Sequence, residues 1–185
     1  CTKRYVEKMQ TLNHGHYGLE THADCVEIFE EYYLYNLSLR EIAENKNIGG
    51  IKEACGNMEQ ICETARLIRG KTALYSGDDN LNLAMMSIGS MGLISVASNV
   101  APREVGDVAR LYFTGRNKEA YELQERLLPL IDIMFVEVNP IPVKKAMELI
   151  GLGSGIVRAP LTELEEDHTK QMISILRDFG LNVRG

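Results

Sequence analysis

Beginning at Leu37, short apolar runs alternate with stretches in which apolar residues return every three or four positions. Leu37, Leu39, Ile42 and Ala43 have helical spacing, and Ile48 to Lys52 then reads as a strand. Asn57 is placed to cap a helix whose inner face carries Ile61, Ala65 and Ile68, with Arg66 and Arg69 outward or near its end and Gly70 to stop it. Thr72 to Ser76 predicts a second strand, Asp78 to Ile88 a helix, and Gly92 to Ala97 a third strand. That alternation predicts a parallel βα arrangement. After Pro102 only the helical period persists, over Pro102 to Phe113, Asn117 to roughly Glu137, Pro140 to Ile150 and Thr162 to Phe179. Upstream, Tyr5, Val6, Met9 and Leu12 have helical spacing, Asn13-His14-Gly15-His16 breaks it, and a second helix is expected from Ala23 to Tyr33. The expected domains are an unplaced helical segment over 1–34, an α/β body over 35–101 and a helical subdomain over 102–185.

Composition narrows the classes. At 185 residues and 45% hydrophobic the chain can bury one sizeable core. A net charge of -6 without a lysine or arginine cluster offers no electrostatic footprint for nucleic acid or an anionic membrane, so small molecules or proteins are the expected partners. Cysteines stand at positions 1, 25, 55 and 62 without C-x-x-C spacing, which predicts reduced thiols in a cytoplasmic protein. No apolar run reaches the roughly eighteen residues of a membrane span, and no basic-then-apolar signal opens the chain. A soluble, unexported protein is the expectation unless residues precede Cys1.

In parallel βα folds ligands lie at the carboxyl ends of the strands. That rule selects Lys52 with Glu53, then Ser76-Gly77-Asp78-Asp79, then Ser95 to Asn99. A lysine in a buried strand has its ammonium form disfavoured, and its free amine is a nucleophile toward a carbonyl carbon. The other reading of Lys52 is a strand-end lysine whose methylenes carry its charge to solvent. Gly77 permits close backbone approach, and Asp78-Asp79 read equally as helix caps or ligand contacts. His14, His16, His22, Asp24 and Cys25 fit no standard zinc spacing, so no metal is expected. Gly151-Leu-Gly-Ser-Gly155 follows a helix and reads as a helix stop rather than a phosphate loop. Met85, Met86 and Met91 read as core filler, and Glu163 to Asp167 as charge complementing a helix dipole.

Four segments together carry a resemblance. Ile48-Gly-Gly-Ile-Lys52-Glu-Ala-Cys-Gly-Asn57 resembles the lysine strand of the dihydrodipicolinate synthase (4-hydroxy-tetrahydrodipicolinate synthase) family. Leu74-Tyr-Ser-Gly-Asp-Asp79 and Gly92-Leu-Ile-Ser-Val-Ala-Ser-Asn-Val100 are similar to its last two barrel strands. Phe135-Val-Glu-Val-Asn-Pro-Ile-Pro-Val-Lys-Lys-Ala146 resembles its C-terminal helical signature, with Asn139-Pro-Ile-Pro142 the most specific part. The resemblance spans about Asn36 to Leu181 and implies a partial (β/α)8 TIM-type barrel, strands five to eight, followed by a C-terminal helical subdomain. It further implies a lyase in which Lys52 forms an imine with pyruvate, and the derived enamine attacks an aldehyde, aspartate semialdehyde in this family, for lysine (diaminopimelate) biosynthesis. Tyr35, in the dipeptide Tyr35-Asn36, corresponds to the family's proton shuttle. Ile94 corresponds to the residue whose main-chain carbonyl faces the substrate, and Gly77 falls in the same substrate-binding set. No cofactor is implied, and a homo-oligomer is.

The departures from the family pattern are specific. The residues resemble only its C-terminal half, and the family's loop after Tyr-Asn is missing: Tyr35-Asn36 runs straight into Leu37-Ser-Leu-Arg40. Arg40 keeps the spacing of the family's carboxylate-binding arginine but falls inside a helical pattern, so that role is not transferred. A pyruvate aldolase with another acceptor aldehyde, and an inactive barrel fragment acting in oligomerisation or interaction, are the alternatives.

Overall fold

The computed structural model describes residues 38–184. The expected helices within residues 1–34, the histidine-rich stretch and Tyr35-Asn36 lie outside them. A helix through residues 38–44, α1, leads to strand β1 (Gly50–Glu53). Helix α2 (Met58–Ile68) follows, its start fixed by Asn57, whose side-chain oxygen accepts from the backbone N–H groups of Glu59 at 3.0 Å and Gln60 at 3.3 Å. Its inner face buries Ile61, Ala65 and Ile68 as the spacing predicts. Strand β2 (Ala73–Ser76) pairs parallel to β1, with Lys52 opposite Tyr75 and Glu53 opposite Ser76. Helix α3 (Asn82–Ser87) crosses to the next segment.

That next segment departs from the expected third strand over Gly92 to Ala97. It meets β2 at a single bridge, Leu93 with Ser76, and the chain then turns into a 3-10 helix over Ala97–Asn99. The cause is competition for backbone donors. The N–H groups of Val96 and Ala97, which a longer strand would offer to a ladder, go instead to the Asp79 carboxylate at 2.9 and 3.4 Å. The described sheet therefore holds two strands and one bridge.

From Pro102 on, the described regular elements are all helical: α4 (Pro102–Phe113), α5 (Asn117–Ile133), α6 (Ile141–Leu149) and α7 (Glu166–Asp178). Helix α5 stops at Ile133, short of the expected Glu137, and α7 starts at Glu166 rather than Thr162. In both cases the intervening chain is occupied elsewhere: Glu137 accepts from the backbone N–H of Glu165 at 3.0 Å and from His168 Nδ1 at 2.7 Å. Gly151 ends α6 with a φ of +76°, and the N–H of Leu152 reaches back to the Met147 carbonyl at 2.9 Å. The glycine-rich run is thus a helix stop, as its position predicts.

Two apolar clusters form the interior. Ile61, Ala65, Ile68, Leu74 and Met85 join Ala43 beneath the sheet, while Met86, Val105, Val108, Leu127, Leu130, Met134, Met172 and Leu176 form the larger helical core. Met91, expected in the core, is instead 63% exposed. No described helix is long and apolar enough to cross a membrane.

Candidate active site

Strand alternation sorts the side chains of the sheet into two faces. Leu74 and Ser76 point toward the helices and are buried, as the packing of Ile61, Ile68 and Leu74 requires. Gly50, Lys52, Tyr75 and Gly77 fall on the opposite face. Lys52 is exposed there among the described residues, which corrects the expectation of a buried lysine: the strand is Gly50–Glu53, and its helix-facing position is Ile51.

What the face does supply is position. A Cβ built on Gly77 would lie 2.6 Å from Lys52 Cε, 2.9 Å from Lys52 Cγ and 2.8 Å from Ala54 Cβ. The lysine stem therefore lies directly over Gly77, in space that only glycine leaves open. Gly50 does the same for the tyrosine: its Cβ would meet Tyr75 Cε2 at 2.8 Å, so the ring lies across β1 one position before the lysine pair. The main chain is held equally closely. Gly77 N–H donates to the Glu53 carbonyl at 2.7 Å, Ser76 N–H to the Gly92 carbonyl at 2.9 Å, and Ile94 N–H to the Ser76 carbonyl at 2.7 Å. Lys52, Gly77 and Ile94 thus gather at the carboxyl ends of three adjacent segments, while Tyr35 lies outside the described residues.

The Asp78-Asp79 pair resolves into two separate tasks. Asp78 Oδ1 accepts from Asn80 N–H at 2.9 Å, a local turn. Asp79 is buried at 2% exposure and accepts from the Ser95 hydroxyl as well as from Val96 and Ala97. Neither caps α3, whose N-cap residue Leu81 receives no side-chain bond. The strand-end rule selected Ser95 within Ser95 to Asn99 but passed over Tyr75, which counting by twos from Lys52 across the register finds. The bond from Ser95 to Asp79, sixteen residues away in sequence, gives no local sign.

At the exposed Cys55, partial desolvation and then the Glu53 side chain hold the thiol above its ordinary value, which disfavours the thiolate. Away from the site, ligand atoms of Glu137, Glu165 and His168 lie within 4.8 Å of one another. The Glu137 carboxylate there already receives His168 Nδ1 and the Glu165 N–H, so the group is a clamp on the start of α7.

A lysine and a glycine at the carboxyl ends of parallel strands, with helices on the other face, lie where parallel βα folds bind their ligands. The chain matches the Dihydrodipicolinate synthetase family over residues 34–179, and it belongs to that family. A 4-hydroxy-tetrahydrodipicolinate synthase of Archaeoglobus fulgidus is 44% identical over 143 residues, covering 77% of this chain and 50% of the relative. The crystal structure of dihydrodipicolinate synthase from Thermotoga maritima superposes with a TM-score of 0.75 at 36% identity, covering 78% of this chain and 50% of that one. The chloride-inhibited dihydrodipicolinate synthase of Acinetobacter baumannii, complexed with pyruvate, gives 0.75 at 35% identity over 80% of this chain and 50% of that one. The fold is that of the TIM-barrel family. The chain spans about half the length of the curated relatives it matches.

Proposed function

We propose that the chain carries the imine-forming lysine of a pyruvate-dependent lyase that condenses pyruvate with aspartate semialdehyde, the reaction of 4-hydroxy-tetrahydrodipicolinate synthase in lysine biosynthesis. The observation that carries the reading is the seat of Lys52 at the end of β1, its stem laid over Gly77, in a chain that belongs to this family.

The chemistry follows from an amine at a fixed point. Lys52 Nζ adds to the keto carbon of pyruvate; the keto oxygen receives one proton from the adding amine and a second from a general acid and leaves as water, giving an iminium. Loss of a methyl proton converts this electron sink to an enamine, whose carbon attacks the aldehyde carbon while the aldehyde oxygen becomes a hydroxyl. The amino group of the semialdehyde then displaces Lys52 and closes the ring. Tyr35 serves as the proton shuttle, since a phenol both donates and accepts a hydrogen bond. Gly77 keeps the lysine's path clear, and the Ile94 carbonyl faces the substrate beside the imine. No cofactor is needed, because the iminium itself supplies the electron sink. The working molecule is a cytoplasmic homo-oligomer in this reading.

Borohydride reduction in the presence of pyruvate, followed by intact mass and peptide mapping, tests the proposal. A stable adduct on Lys52 that is missing from Lys52→Arg is the expected result. A folded protein that yields no adduct overturns it.

A further inference from the structure

Asp79 occupies a position that the proposed chemistry does not use directly. Its carboxylate is buried and receives the Ser95 hydroxyl and the N–H groups of Val96 and Ala97, at 2.9 and 3.4 Å for the latter two. Ser95 in turn accepts from the Ser98 N–H at 2.8 Å, and the Ser98 hydroxyl and the Asn99 side-chain amide donate to the Ser95 and Val96 carbonyls at 3.1 and 2.9 Å, so the turn that follows Ile94 is built largely on side-chain bonds. Asp79 itself is held from the helical side: buried Gln124 on α5 donates its Nε2 to the Asp79 carbonyl at 2.9 Å. On one side of Ile94 the segment is tied to β2 by main-chain bonds from Met91 N–H to the Leu74 carbonyl, Ser76 N–H to the Gly92 carbonyl and Ile94 N–H to the Ser76 carbonyl; on the other side lies the turn whose N–H groups Asp79 holds.

We infer that Asp79 is a positioning residue for the imine site: through Ser95, Val96 and Ala97 it fixes the Ile94 main chain at the strand-end rim, on the other side of β2 from Lys52, and Gln124 ties that geometry to α5. The inference rests on the reading of Lys52 given above. A carboxylate suits the task because its two oxygens accept from three donors at once, which no hydroxyl or single carbonyl does in that space. Misplacement of a contact by about 1 Å is enough to cost a site much of its efficiency.

The test uses the full chain and measures pyruvate-dependent borohydride trapping across a concentration series, with melting temperature and amide exchange at Val96 and Ala97 recorded in parallel. For Asp79→Ala we expect the half-saturating pyruvate concentration to rise about tenfold or more, together with faster exchange at Val96 and Ala97. Asp79→Asn retains an oxygen for the two N–H groups and an amide for Ser95, and its half-saturation is expected within about threefold of wild type. Ser95→Ala, the milder change should Asp79→Ala fail to fold, is expected to shift half-saturation by about threefold in the same direction. Folded Asp79→Ala or Ser95→Ala proteins that trap pyruvate like wild type overturn the positioning role and leave Lys52 untouched. Asp79→Asn as impaired as Asp79→Ala overturns positioning by hydrogen bonds. Wild-type protein that traps nothing overturns the function itself, and the inference with it.

Discussion

Gly77 earns its place by what it lacks. Any side chain there meets Lys52 Cε at 2.6 Å and Ala54 Cβ at 2.8 Å, and the second of these is not the tip of a flexible chain. Gly77→Ala should therefore rotate the lysine stem off its seat while costing about 1–3 kcal/mol of overpacking. Trapping of pyruvate is expected to fall at least about tenfold in protein that still melts cooperatively, and trapping equal to wild type would show that the seat is dispensable. Lys52 and Gly77 were legible in the sequence, since both lie in short contiguous motifs at strand ends. The surroundings of the lysine were not. Glycines and aliphatics in Asn47 to Asn57 suggest burial, but a strand has two faces, and the one that carries Lys52 is exposed among the described residues. Asp79 was legible as a polar strand-end residue; its partners were not, because Ser95, Val96 and Ala97 reach it across a loop and a helix.

Among the elements, helices were read more faithfully than strands. Pro102 to Phe113 and the Asn57-capped helix appear as their periodicity and caps predict, because those signals are local. The apolar run Gly92 to Ala97 had the composition of a strand, yet side-chain acceptors claimed its donors after Ile94. Boundaries failed where a distant group intervened, as at α7, whose start is clamped by Glu137. The His168 ring and then the Glu165 N–H hold the Glu137 carboxyl below its ordinary value of 4.5. A carboxyl with a lower pKa in the folded state binds fewer protons folded than unfolded. Its stabilisation is therefore complete above about pH 4.5 and is lost as the pH falls through the lower native value. Denaturant titrations of wild type and Glu137→Gln should show a stability gap at about pH 6 that narrows by about pH 3.5. A gap that stays constant would remove the clamp from the account of α7.

For the molecule as a whole, the organising fact is that neighbouring residues of α3 serve different interiors. Met85 is fully buried with Ile61, Ile68 and Leu74 under the sheet, and Met86 is buried with Val105, Leu127 and Met134 in the helical core. Each truncation to alanine should cost about 2–5 kcal/mol, but in different places. In native-state hydrogen exchange, Met85→Ala is expected to expose amides of β1, α2 and β2 first, and Met86→Ala those of α4 and α5. Identical exchange patterns would mean that the two clusters open as one unit. That the regular elements after Pro102 are helical was visible from the end of the βα alternation, whereas the role of α3 was not, since two adjacent methionines give no sign of facing apart. The one-bridge attachment of Leu93 also bears on how faults are avoided during folding. A strand held only by its ladder can settle two residues out of phase with nearly equal hydrogen bonding. Here the Ser90 hydroxyl, donating to the Gly92 carbonyl at 2.8 Å, marks one end of the segment and Asp79 marks the other. A slipped segment would miss both anchors at once, so the single-bridge piece of sheet among the described residues has its register set by side chains rather than by its ladder.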